Sequence, residues 1–159
     1  MMSLTRFLMV SASVAAVTLS LGPYDIILLN TAKTPSAKGT ARLVWAQSPF
    51  GVTVTADGRA SYEVQLDLSG LPAPSTLGPY TTYVAWAATT NLDEWHRLGA
   101  VKNGRSTVGK VELNKFMFVI TAEASATPAA RKGPTVLHGI SPSGWLQSLT
   151  THPLFRGVQ

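Results

Sequence analysis

A chain of 159 residues has room for one domain and a short additional segment. It contains no cysteine, which excludes disulfides, thiolate metal sites, a cysteine nucleophile and a lipid-modified cysteine anchor. Only 13% of its residues are charged, against about 25% in an average soluble domain. The net charge of +5 is spread along the chain rather than gathered in one block, which argues against nucleic acid as the partner.

The first element is apolar. After Arg6, residues 7–21 hold no charged side chain, and Ile26, Ile27, Leu28 and Leu29 add a second apolar patch beyond Gly22, Pro23, Tyr24 and Asp25. Read as one helix, residues 4–29 would be about 39 Å long, enough to cross a hydrocarbon core of roughly 30 Å with tilt. Tyr24 would then sit in the interfacial aromatic belt. A cleaved leader is the alternative, but Ser20-Leu21-Gly22 is the nearest approach to a cleavage site and Pro23 follows it. The expected organisation is therefore an uncleaved membrane anchor over residues 1–29 and a linker over 30–39. A periplasmic β domain over 40–140 and an apolar docking tail over 141–159 complete it. Ser11, Ala12, Ala15 and Ala16 give the anchor a small-residue face for lateral helix packing.

Past the linker the pattern is that of strands. Residues 42–47 and 52–55 read as two short strands, and Asp57-Gly58 as a hairpin turn. Tyr62, Val64, Leu66 and Leu68 alternate with Glu63, Gln65 and Asp67, the clearest strand in the chain. Ser69-Gly70-Leu71-Pro72 breaks it. Residues 80–89 are apolar on both faces and are expected to form a doubly covered central strand, with Trp86 and also Trp45 in the core. A short strand over 98–101, a turn at Asn103-Gly104, and strands over 107–113, 116–123 and 135–140 follow. The expected fold class is mainly β: an immunoglobulin-like antiparallel sandwich of seven or eight strands with one N-terminal transmembrane helix.

The middle of the chain resembles the extracytoplasmic domain of RskA-type anti-sigma-K factors. The residues that carry the likeness are Gly70-Leu71-Pro72, Tyr83-Val84-Ala85-Trp86, Leu98-Gly99, Asn103-Gly104, Phe118-Val119-Ile120-Thr121-Ala122-Glu123 and Gly133-Pro134-Thr135-Val136-Leu137, in that order within residues 62–139. The resemblance implies a membrane-tethered, immunoglobulin-like β-sandwich. Sigma-factor inhibition is not expected to come with it, because only about six residues stand before the apolar run, where that family places its sigma-binding domain.

Chemistry-bearing constellations are sparse. Glu94 and His96 would share a strand face and could offer two metal ligands, but His138 and His152 are remote in sequence and the cluster reads equally well as a solvated loop. No serine lies in a nucleophile elbow, and no glycine-rich loop opens a helix. No enzyme activity, cofactor or metal is expected. Trp145, Leu146, Leu149, Leu154 and Phe155 of the tail, with Trp95, are the candidate partner-binding residues. The expected role is a non-catalytic accessory subunit of the cytoplasmic membrane, single-pass with its bulk in the periplasm. It would brace a larger respiratory, photosynthetic or other membrane complex. The alternative is a freestanding envelope module that binds a glycan, a lipid or a signal.

Overall fold

The computed structural model describes residues 22, 24–47, 55 and 61–142. Eight antiparallel strands follow one another: β1 Asp25–Asn30, β2 Lys38–Trp45, β3 Tyr62–Ser69, β4 Thr82–Ala88, β5 Trp95–Val101, β6 Gly104–Val111, β7 Met117–Glu123 and β8 Thr135–Ile140. One 3₁₀ turn, Pro74–Leu77, lies between β3 and β4. Hydrogen bonds connect all eight in the order β5-β4-β7-β8-β1-β2-β3-β6.

The strands at the two ends of that order, β5 and β6, are consecutive in the chain and joined only by Lys102 and Asn103. The two approach closely, since a Cβ on Gly109 of β6 would stand 2.8 Å from the carbonyl oxygen of Leu98 in β5. The sheet thus curls into a nearly closed barrel. β1 links its halves, pairing through residues 25–28 with β2 and through Leu29 and Asn30 with β8. An immunoglobulin sandwich instead divides its strands between two separate sheets. β4, β5 and β6 run up and down in succession and β7 returns beside β4, a Greek-key path.

Alternation builds the interior. In β3, Val64, Leu66 and Leu68 are buried while Gln65 and Asp67 face outward. β2 contributes Ala41 and Leu43, β1 Ile26 and Leu28, and the middle of the core is filled by Phe116, Phe118, Ile120, Val136 and Leu137. At roughly 1.5–3 kcal/mol for each large apolar side chain buried, this cluster is the main stabilising term.

β4 and β7 are buried on both faces, as the apolar pattern of residues 80–89 implies. Their inner residues meet the core. The outer faces carry Trp86, Thr121 and Glu123, each exposed by no more than 2%. The indole N–H of Trp86 donates to Thr121 Oγ1 at 2.9 Å, and that hydroxyl donates to Glu123 Oε1 at 2.7 Å. The Glu123 carboxylate also accepts the backbone N–H groups of Lys132 and Gly133 at 3.2 Å, which fixes the loop between β7 and β8. Gly133 must be a glycine, because a Cβ there would lie 1.5 Å from the Ala122 carbonyl oxygen.

Three sequence expectations are corrected. Residues 25–29 belong to strand β1 and not to a membrane helix, because their alternate residues Ile26 and Leu28 fill the core. The stretch 30–39 is no free linker: Asn30 ends β1, Lys38 and Gly39 begin β2, and buried Thr34 donates to the Val136 carbonyl at 2.8 Å. β5 begins at Trp95, so Trp95 and His96 stand on a strand. Asn103-Gly104 falls, as expected, where the chain turns from β5 into β6. Gly104 opens β6, which pairs with β3, and the Asn103 amide exchanges two hydrogen bonds with the Leu71 backbone, at 3.0 and 2.8 Å.

Candidate interaction surface

Strand directions sort the loops into two groups. β1 starts, and β2 and β8 finish, at one end of the barrel, because β1 is antiparallel to both. The described chain therefore enters at Tyr24 and leaves at Pro142 on the same end. β3 also starts there, at Tyr62. The opposite end holds residues 31–37, 70–81, 102–103 and 124–134.

Three aromatic rings gather at the entry end. Trp45 closes β2 and Tyr62 opens β3, and the two are register partners. Both continue the inward-facing series of their strands, beyond the last aliphatic layer at Leu43 and Val64. Their ring centroids are 4.7 Å apart. Tyr24 joins them, 6.4 Å from Trp45 in an edge-to-face arrangement and 6.3 Å from Tyr62. Tyr24 is held in place by its backbone carbonyl, which accepts the Leu43 N–H at 3.0 Å. Burial pushes the Tyr62 phenol above its ordinary range, and Tyr24 adds to the effect. Trp45 was expected in the core. It is 42% exposed, and Tyr24 is 43% exposed, because they stand where the strands of the barrel end.

Beside the rings, Arg42 grips Asp25 with two hydrogen bonds, of 2.7 and 3.0 Å. The Gly22 N–H donates to the same carboxylate at 2.7 Å. The Arg42 guanidinium holds the Asp25 carboxyl below the usual carboxylate range; burial opposes this and the Gly22 amide reinforces it. Outward-facing Ile27 and Leu29 on β1 and Ile140 on β8 are each more than half exposed, leaving an apolar strip on the flank. Sequence reasoning missed the Tyr24, Trp45 and Tyr62 cluster, and the strip with it. A short apolar run bounded by Asp25 and Asn30 was the available signal for a strand.

Of the residues expected to bind a partner, only Trp95 is described. Its indole N–H donates to the Leu92 carbonyl at 3.0 Å, and Arg131 covers its ring at 4.5 Å, so this half-buried side chain has internal partners. Trp145, Leu146, Leu149, Leu154 and Phe155, like Ser11, Ala12, Ala15 and Ala16, lie outside the described residues. So do the strand expected over 52–55 (Thr55 apart) and the Asp57-Gly58 turn. Glu94 and His96 do share a face, 3.7 Å apart and both more than half exposed. Among the described residues, no three His, Asp or Glu side chains gather in a way that could hold a metal. The nearby carboxylate of Asp93 accepts hydrogen bonds from Thr89 and Asn91, which belong to the same loop and lower its pKa, Thr89 most.

Three shallow depressions mark the described surface. One of about 460 Å³ at the far end includes Tyr83, whose hydroxyl donates to the Pro72 carbonyl at 2.9 Å, and Lys102 is its single charged residue. One of about 350 Å³ holds Asp93 and Glu94 without a basic group. The third, about 480 Å³, lies over β2, β3 and β6 between Arg42 and Arg105; Arg105 pairs with Asp67 at 3.1 Å. None of the three sets a nucleophile beside a general base.

No helix among the described residues is long and apolar enough to cross a membrane. Comparisons with protein-family models, with curated proteins and with solved structures gave no match.

Proposed function

We propose that this chain is a non-catalytic accessory domain of the cell envelope. Its N-terminal segment holds it on the periplasmic face of the cytoplasmic membrane, and it braces a larger membrane protein assembly. One observation carries the reading. The chain enters and leaves the barrel at the same end, so both apolar stretches of the sequence, residues 7–21 and the tail from Trp145 to Phe155, attach there. With residues 25–30 in a strand, the membrane segment is confined to what precedes Tyr24. A helix over residues 4–22 would be about 28 Å long, close to the roughly 30 Å hydrocarbon core.

The likeness to RskA-type extracytoplasmic domains is a proposal at the level of fold. It is supported by how the matching pieces meet. Gly70-Leu71-Pro72 is clasped by Asn103 and by the Tyr83 hydroxyl. Trp86 is tied through Thr121 and Glu123 to Gly133. In this reading the two four-stranded halves of the barrel are the facing layers of a flattened sandwich, and the shared residues are its fasteners.

The test is gentle solubilisation of the membrane followed by purification through a tag on this chain. Recovery in a stoichiometric larger assembly is expected, and removal of residues 143–159 should release the barrel from that assembly while leaving it folded. A solitary chain would favour a freestanding binding module instead. Mass spectrometry that finds a mature terminus near residue 23 would overturn the anchor.

A further inference from the structure

We infer that Tyr24, Trp45 and Tyr62 form a contact with the membrane surface, seating the barrel upright in the headgroup layer rather than leaving it to swing on a tether. The inference rests on the anchored reading above and adds the ligand class, a phospholipid interface, and the residues that meet it.

Chain length sets the geometry. Leu21 ends the apolar run, and Tyr24 follows three residues later. Three residues reach at most about 11 Å fully extended. The polar layer on each side of a bilayer is roughly 5–8 Å deep, from the difference between the whole bilayer and its hydrocarbon core. A segment embedded up to Leu21 therefore leaves Tyr24 within or just above that layer. Trp45 lies 6.4 Å from Tyr24, centroid to centroid, and Tyr62 4.7 Å from Trp45. The cluster must follow Tyr24 to the surface.

The chemistry of the cluster suits that depth. Indole and phenol join an apolar ring to a polar tip, which is why Trp and Tyr collect at membrane interfaces. The rings are held by the strand ends that carry them, and Tyr24 and Trp45 each leave more than two fifths of their surface uncovered. Asp25, the carboxylate nearest in sequence, is neutralised by Arg42 and only 4% exposed, so it offers little repulsion to anionic lipid. The Arg42 side chain is 58% exposed and stands where a phosphate could reach it.

The full chain should be reconstituted in phosphatidylcholine–phosphatidylglycerol vesicles, with and without acyl chains brominated near the headgroup. The emission assigned to Trp45 is the difference between the parent and Trp45→Phe. Loss of most of that difference in brominated vesicles is expected; an undiminished difference overturns the inference. If Trp45→Phe weakens the barrel, Tyr24→Trp replaces it, and the emission it adds should be quenched in the same way. Flotation in alkaline carbonate separates the two claims. A chain that floats with Trp45 unquenched refutes the seating alone, whether a second copy, a glycan or the tail covers the rings. A chain that does not float refutes the anchor and the seating together.

Discussion

Trp86 and Thr121 stand on neighbouring strands and meet through a single 2.9 Å hydrogen bond buried from solvent. Because an indole nitrogen can only donate, the Thr121 hydroxyl accepts there and spends its one proton on Glu123. The hydroxyl is the middle of a relay. Thr121→Val keeps the shape of the side chain and removes both bonds, leaving a buried N–H and a buried carboxylate each one partner short. A loss of about 2–4 kcal/mol is expected, read from urea unfolding of the full chain in detergent.

Glu123 anchors the loop over residues 124–134 through the Lys132 and Gly133 amides. Glu123→Ala should release that loop while the aliphatic core stays assembled. Limited proteolysis is expected to cut first within residues 124–134, and amide exchange at Lys132 and Gly133 should accelerate ahead of exchange in β3. Glu123→Gln retains an oxygen acceptor and should show a smaller effect.

Gly133→Ala places a methyl group where the Ala122 carbonyl stands, at 1.5 Å. The backbone of β7 or of the loop must move, and a loss of at least about 3 kcal/mol is expected. Gly109→Ala, whose Cβ would meet the Leu98 carbonyl at 2.8 Å, should cost less. Thermal unfolding of the two variants side by side gives the ranking.

Asp25 gives a pH dependence of definite sign. Its carboxyl titrates below the ordinary value because Arg42 and the Gly22 amide favour the charged form. The unfolded chain binds the proton first, near pH 3.9. The stabilisation is therefore complete above that value and is lost as pH falls through the lower, folded pKa. Asp25→Asn should be less stable than the parent at neutral pH by about 1 kcal/mol, and the gap should narrow in acid. Asp93, also lowered, shifts the parent in the same direction, so the substitution removes only part of the acid sensitivity.

Much of the barrel was legible in the sequence where one face meets water. β3 shows this best, and the bounds of β8 were read as they stand in the structure. β1 was not legible, because Ile26, Ile27, Leu28 and Leu29 follow so closely on residues 7–21 that composition merges them. Only a partner strand on each side distinguishes Ile26 from Ile27. The start of β5 was hidden for the opposite reason: Glu94, Trp95, His96 and Arg97 look like a loop, and the strand state of the last three comes from pairing with β4. The aromatic cluster depends on where β2 ends and β3 begins, which alternation does not specify. The Trp86–Thr121–Glu123 relay depends on the β4–β7 register between segments 35 residues apart. The tail expected to clamp a neighbour falls beyond the described residues.

The two-residue link of Lys102 and Asn103 holds together the only strands among the described residues that have a neighbour by hydrogen bonding on one side alone. A bare strand margin is a template for recruiting another chain, and long unprotected ones invite fibrils. Here each margin shields the other. A molecule cut at that link and rejoined through its other extremities would keep every side chain, yet its sheet could unroll into a ribbon with two sticky borders. The shortness of one connection thus guards the molecule against polymerisation.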